Sequence, residues 1–357
     1  MGRARLEELL LSVDRAGADA LQLVPGAPPC MRIQGNLVRS TDTPSTSEEI
    51  GEIARDFLFA DHRQKLARGE EVEVLYTSRQ GTRFRTSIQD QESGLSLVFR
   101  RLPSGVPKLA DLGLPDLVGG FTSLRSGIVL VAGFLGSGRS STLAAMVDRV
   151  NQDSASHVVT LENPIEFLHD TVHALIVQRE LGVHTPSYVE GIHDAVRAGA
   201  DVLVVGEIPD SETLDAVLTA AEAGILVIAA TNASSVVSGL SNLLALGSEA
   251  TRPRLRARLS SSLRAMISQT LLQRTHANGR VPLVEVLINN PPVAEAIRGN
   301  SLQDIPAIMQ KARGLGMQTV DAALKGLLSR TLISTEEALY HATDRDWVTA
   351  RPAARAR

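Results

Sequence analysis

From Leu6 to Ala16 apolar residues return at three- to four-residue intervals, the spacing of an amphipathic helix. Two later runs, Glu71–Tyr76 and Thr82–Ile88, alternate with a period near two and read as half-buried strands. Residues 1–102 therefore predict a small α+β domain. The stretch Pro103-Ser104-Gly105-Val106-Pro107 breaks regular structure and Pro115 breaks it again, so 103–115 is expected to be a linker. From Gly127 onward the pattern changes. Ile128–Ala132, Val158–Leu161, Val202–Val205 and Leu226–Ala229 are short continuous apolar runs separated by helical or loop segments. Such runs suit strands covered on both faces of a mainly parallel sheet, which makes 116–344 an α/β domain. Leu255, Leu259, Leu263, Met266, Ile267 and Leu271 recur at helical spacing and predict one apolar helix stripe, with further helices to about Thr343. The tail 345–357, with Arg351, Arg355 and Arg357 among alanines and a proline, is expected to be mobile.

A chain of 357 residues suggests two domains, and 43% hydrophobic with 21% charged residues describes packed globular protein. The net charge of −4 and a pI near 6.1 remove the broad attraction to nucleic acid that a basic protein carries, so no nucleic-acid partner is expected. Cys30 is the only cysteine, which rules out an intrachain disulfide and points to a reducing compartment, the cytoplasm. No apolar stretch reaches the roughly 18–20 residues that span a bilayer, and Met1–Ala18 is too charged for a signal peptide. Direct membrane insertion is not expected.

The chemistry concentrates where Ile128–Ala132 runs into Gly133-Phe134-Leu135-Gly136-Ser137-Gly138-Arg139-Ser140 and then into the helix-forming Ser141–Val150. Strand, glycine-rich turn and helix stand in the order of a phosphate loop. Glycines let the backbone amides of such a turn curl round phosphate oxygens, and the helix N-terminus adds partial positive charge at the same place. Gly133, Gly136, Ser137, Gly138, Arg139, Ser140 and Ser141 are therefore candidate ATP-binding residues, with the Ser140 hydroxyl at the Mg²⁺ position of the motif. Arg139 departs from the lysine that the motif prefers; its longer planar fork does not substitute for a compact ammonium.

Read onward from this loop, the chain resembles the pilus-retraction branch of the secretion-ATPase superfamily, hexameric motors that retract type IV pili. Gly133–Met146 is similar to the family's Walker A segment, Thr160-Leu161-Glu162-Asn163-Pro164-Ile165-Glu166-Phe167 to its aspartate box, and Asp201–Glu207 to its Walker B strand. Leu218–Gly224, Arg254–Leu272, Gly279–Asn289, Ala296–Arg298 and Gly316–Thr319 follow the family's later pattern. Arg83-Phe84-Arg85 and Val98-Phe99-Arg100 resemble its arginine-bearing N-terminal strands. The resemblance implies a PAS-like N-terminal domain, a RecA-like P-loop core and a ring of six, formed with itself or with an active paralogue. It further implies a platform protein of the inner membrane as partner. Under it, Glu207 orients or deprotonates the attacking water, Glu162 supports metal and water, and Arg83, Arg85 and Arg100 reach phosphate charge.

Several positions depart from the family pattern. Asn163 replaces the aspartate of the box and loses its charge. Ile225 and Asn232 stand where two histidines are usual, and Pro209 replaces an arginine. Ala20 and Gln22 differ from a polar N-terminal motif. These changes predict ATP binding with impaired hydrolysis, or a regulatory pseudo-ATPase that modulates an active relative. Two further candidates fall away. His169 and His173 have metal-ligand spacing, but the sequence around them is not helical and no H-E-x-x-H order is present. Ser137, Ser140 and Ser141 lack a G-x-S-x-G elbow, which excludes a serine-hydrolase reading.

Overall fold

A computed structural model describes residues 2–33, 36–275 and 279–349 and divides into two compact units, Met1–Gly105 and Val106–Arg357. The first unit begins with α1 (Gly2–Ala16), β1 (Ala20–Leu23), β2 (Cys30–Ile33) and β3 (Asn36–Arg39). It continues through α2 (Ser47–Arg55), α3 (Ala60–Ala67), β4 (Val72–Thr77), β5 (Arg83–Gln91) and β6 (Gly94–Arg101). Its strands form one antiparallel sheet in the order β3-β2-β1-β6-β5-β4. Alternation decides the faces: Phe84, Ile88, Leu97 and Phe99 point inward onto Leu6, Leu10, Ile50 and Ile53. Glu7 is buried on the inner face of α1, and both its oxygens are satisfied. The Tyr76 hydroxyl donates to Oε1 at 2.6 Å and the Arg79 N–H to Oε2 at 2.9 Å.

The second unit holds α4 (Leu117–Gly120), β7 (Gly127–Ala132), α5 (Arg139–Asp153), β8 (His157–Glu162), β9 (Leu175–Glu180), α6 (Tyr188–Arg197), β10 (Val202–Val205), α7 (Ser211–Glu222) and β11 (Leu226–Thr231). After these come α8 (Val236–Ala245), α9 (Arg252–Ser262), β12 (Leu263–Gln273), β13 (Arg280–Ile288), α10 (Pro291–Arg298), α11 (Ile305–Lys311), α12 (Val320–Ser329), α13 (Thr335–His341) and α14 (Asp346–Thr349). The sheet order is β13-β12-β7-β11-β10-β8-β9, parallel throughout except for β13 at one edge. Every residue of β7, β10 and β11 is buried. The reason lies in β7, whose Ile128, Leu130 and Ala132 join the core on one face while Val129 and Val131 join the core on the other. Among the described residues no helix is long and apolar enough to cross a membrane.

One expectation is corrected, and the segments expected to be a linker and a tail each contain a short helical element. The apolar stripe from Leu255 to Leu271 is not one helix: α9 stops at Ser262 and β12 starts at Leu263. Three consecutive serines, Ser260–Ser262, are weak helix formers, and the apolar run after them fits a strand buried on both faces, with Ala265, Met266 and Ile267 all in the cores. Within the stretch expected to be a linker, Leu109–Leu112 forms a 3₁₀ turn, and Leu109 and Leu114 pack onto the second unit's core. Beyond residue 345 the chain forms the short helix α14. Val348 of α14 is buried with Leu324, Leu327 and Ala338, and the rest of the expected tail, 350–357, lies outside the described residues.

Glu285 on β13 accepts the Val236 N–H at 2.8 Å at the start of α8. Burial pushes its carboxyl from the ordinary 4.5 up to about 7; the Val236 bond opposes the shift and Asp321 adds to it. The folded chain therefore keeps this proton where the unfolded chain has lost it, so stability falls as pH rises from about 4.5 to about 7 and is flat above. Glu285→Gln keeps an acceptor without the charge. It should gain up to roughly 3 kcal/mol at pH 8 and almost nothing at pH 4.5, read from unfolding curves at both values. An unchanged midpoint at pH 8 would contradict the cost assigned to the buried carboxylate.

Candidate functional site

Parallel strands end at one edge of their sheet, and the C-terminal ends of β7, β8, β10 and β11 carry the candidate residues there. The loop after β7 is shaped by its glycines. Gly136 (φ 80°) and Gly138 (φ 91°) sit in the left-handed region. Gly133 has no such dihedral but has no room either: a Cβ there would meet Ser137 Oγ at 2.1 Å and the Gln269 carbonyl at 2.8 Å. Phe134 and Leu135 are exposed at the tip, while Ser137 is buried.

Arg139 opens α5 as a half-buried guanidinium. Burial lowers its affinity for its proton, and the carboxylates of Glu207 and Glu166 partly restore it, so both acids lie within electrostatic reach. Its Nη1 is buried without a hydrogen-bond partner among the described residues, as is Ser137 Oγ. Ser140 Oγ donates to Glu166 Oε1 at 3.1 Å. Ser141 follows, half-buried in the first turn of α5.

Glu162 ends β8, and its Oε1 accepts from Thr160 Oγ1 at 2.7 Å and Gln178 Nε2 at 3.1 Å. Glu207 follows β10, and its Oε1 accepts from Asn232 Nδ2 at 2.5 Å. Tyr188 at the start of α6 belongs to the same group. Burial raises its phenol pKa, and the charges of Glu207 and Glu162 raise it further. Neither Glu166 nor Tyr188 was singled out by sequence reasoning. Glu166 stands inside a motif-like segment, but only the irregular chain from Asn163 to Ala174 turns it toward Ser140.

The departures from the family pattern separate in space. Ile225 and Asn232 lie at opposite ends of β11: Ile225 is buried in the core, whereas Asn232 touches Glu207. Pro209 is exposed just before Asp210, which caps α7 through a 2.7 Å bond from the Thr213 N–H. Asn163 is exposed in the turn after β8. His169 and His173 lie in the irregular segment, and His173 Nδ1 faces the Gln152 carbonyl at 3.2 Å.

Arg83, Arg85 and Arg100 belong to the other unit. Arg85 and Arg100 are direct cross-strand partners of β5 and β6, and Arg83, two residues before Arg85, shares their face opposite the buried Phe84 and Phe99. Glu73 on β4 offsets this cluster, accepting from Arg85 Nη2 at 2.6 Å and Nε at 3.0 Å.

Residues 63–339 match the family described as type II/IV secretion system protein. The chain is 34% identical over 333 residues to the type IV pilus retraction ATPase PilT of Pseudomonas aeruginosa, covering 93% of this chain and 96% of that one. It is 36% identical over 311 residues to a twitching motility protein of Neisseria gonorrhoeae, covering 87% and 83% respectively. Among solved structures, the pilus retraction motor PilT with bound ADP superposes with a TM-score of 0.87 at 32% identity, over 95% of this chain and 97% of that chain.

The loop geometry separates two alanine substitutions. Gly133→Ala forces its Cβ into the β12 backbone and should cost roughly 3 kcal/mol. Gly136→Ala meets nothing within 4 Å and should cost roughly 1 kcal/mol, from its left-handed backbone alone. Urea unfolding of the two variants checks the order, and equal losses would contradict the close approach at Gly133.

Proposed function

This chain belongs to the type II/IV secretion system protein family, and from that premise we propose that it is an ATP-binding motor subunit of type IV pilus or secretion machinery with impaired hydrolysis. The observation that carries the reading is the buried Arg139 Nη1, unpartnered among the described residues, at the N-terminus of α5, beside Ser140 and within reach of Glu166 and Glu207. An orphaned cationic nitrogen at a helix start, under a glycine turn, fits an anionic phosphate as its missing partner. ATP bound there would bring a triphosphate whose terminal bond is the one to be cleaved, and Mg²⁺ would neutralise its charge. The amides of Gly136–Ser140 would grip the phosphates, and Ser140 with Glu166 would hold the metal.

Glu207 is the proposed base or water-orienting group, held by Asn232. Glu162 is the supporting carboxylate, already engaged by Thr160 and Gln178. Arg83, Arg85 and Arg100 form a basic face suited to phosphate charge. In this proposal the subunit works in a hexameric ring, at the cytoplasmic side of the inner membrane, through a platform protein.

Impairment follows from lost charges. Asn163 carries none, Pro209 supplies no cation, and Arg139 is a fork in a loop suited to an ammonium. Removing one preorganised stabiliser commonly slows chemistry about 10²–10³-fold, while binding depends largely on backbone amides and suffers less. The same observations favour a second reading, a pseudo-ATPase that binds nucleotide and modulates an active paralogue.

Fluorescent-nucleotide binding measured beside phosphate release tests both readings. The wild-type chain should bind MgATP and release phosphate slowly. Arg139→Lys should raise release about tenfold or more, and Glu207→Gln should abolish it while binding persists. Brisk release by wild type overturns the impairment, and release that stays at background in Arg139→Lys favours the pseudo-ATPase.

A further inference from the structure

We propose that Gln269 on β12 is a positioning residue of the phosphate loop, fixing the Ser137–Gly138 peptide so that the Gly138 N–H faces the anion. The proposal rests on the nucleotide-binding reading of this loop. Gln269 is 3% exposed, and an amide buried that deeply needs partners for its polar atoms. It finds them on either side of the loop-to-helix junction. Its Nε2 donates to the Ser137 carbonyl at 2.7 Å, and its Oε1 accepts from Thr142 Oγ1 at 2.8 Å.

The first bond sets a direction. In a trans peptide the C=O and the following N–H point opposite ways, so a Ser137 carbonyl held toward β12 turns the Gly138 N–H away from β12. Among the described residues that N–H has no acceptor, which leaves it for a ligand. The second bond sets which end of the amide does this. With Thr142 donating to Oε1, Nε2 must face Ser137; the flipped amide would place two acceptors against each other.

Packing supports the same contact. A Cβ on Gly138 would meet Gln269 Nε2 at 2.8 Å, and a Cβ on Gly133 would meet the Gln269 carbonyl at 2.8 Å, so both ends of the turn rest on this one residue. The strand register places it there. Ser268 pairs with Ala132, the last residue of β7, so Gln269 stands where the loop leaves the sheet, and a one-residue slip of β12 would turn its side chain to the other face.

Gln269→Leu removes both bonds at similar volume, Gln269→Glu keeps the acceptor for Thr142 but opposes Ser137 with an oxygen, and Thr142→Val frees the amide's far end. Affinity for MgADP should fall about tenfold in Gln269→Leu, further in Gln269→Glu and about threefold in Thr142→Val. Affinity for AMP, which lacks the phosphate gripped by the turn, should hold, whereas general softening of the fold would weaken both ligands. Hydrogen exchange of the unliganded chain reads the same contact without nucleotide. Amides of 133–141 should exchange about tenfold faster in Gln269→Leu while the rest of α5 is unchanged. A wild type that binds no nucleotide retires the functional reading alone, because exchange still tests the contact. Unchanged exchange in Gln269→Leu, or equal losses for MgADP and AMP, overturns the role of Gln269.

Discussion

The covering of the parallel sheet on both faces is the constraint on which the rest depends. Strands such as β7 and β11 have no solvent side, so their backbones must be fully paired and their side chains apolar in both directions. Polar chemistry is expelled to the strand ends, and because the strands are parallel those ends coincide. The glycine turn, Glu162, Glu207 and Asn232 meet at one edge for this reason, although they are far apart along the chain.

At that edge the electrostatics are those of a cation beside several acids. Arg139 is desolvated, which weakens its hold on its proton, and Glu166 and Glu207 counter that effect. Glu166 also takes the Ser140 hydroxyl, and Glu207 takes the Asn232 amide. Under the proposed function, an incoming polyphosphate with a divalent cation would exchange these contacts for its own, and its affinity would reflect a difference between two charged arrangements. A guanidinium is a planar fork and an ammonium a compact point charge, so the two are not interchangeable at this position. Asn232 differs from a histidine in another way, since its amide has no proton to gain near neutral pH.

Much of this was legible in the residues alone. The α/β class, the parallel strands at Ile128, Val158, Val202 and Leu226, and the strand–turn–helix at Gly133–Ser140 follow from local pattern, and the structure has them. Period and glycine placement are local properties, so no knowledge of the rest of the chain was needed. Where one spacing suits two elements the pattern misleads. Leu255 to Leu271 satisfies a helix on paper, but the place of β12 beside β7 makes its second half a strand.

What the sequence by itself determined is therefore the strand–glycine turn–helix and the layers around it: which residues can curl, which must be buried, and where charge departs from the family pattern. Tertiary structure alone decided which distant side chains complete the site. Gln269 reaches the loop across 132 residues, Glu166 turns back onto Ser140 across 26, and Ile225 and Asn232, alike on paper, part to the core and to Glu207. The physical reason is that a hydrogen bond requires atoms within about 3 Å in a fixed direction. Linear spacing carries no such information until strands pair in register and the sheet closes its faces.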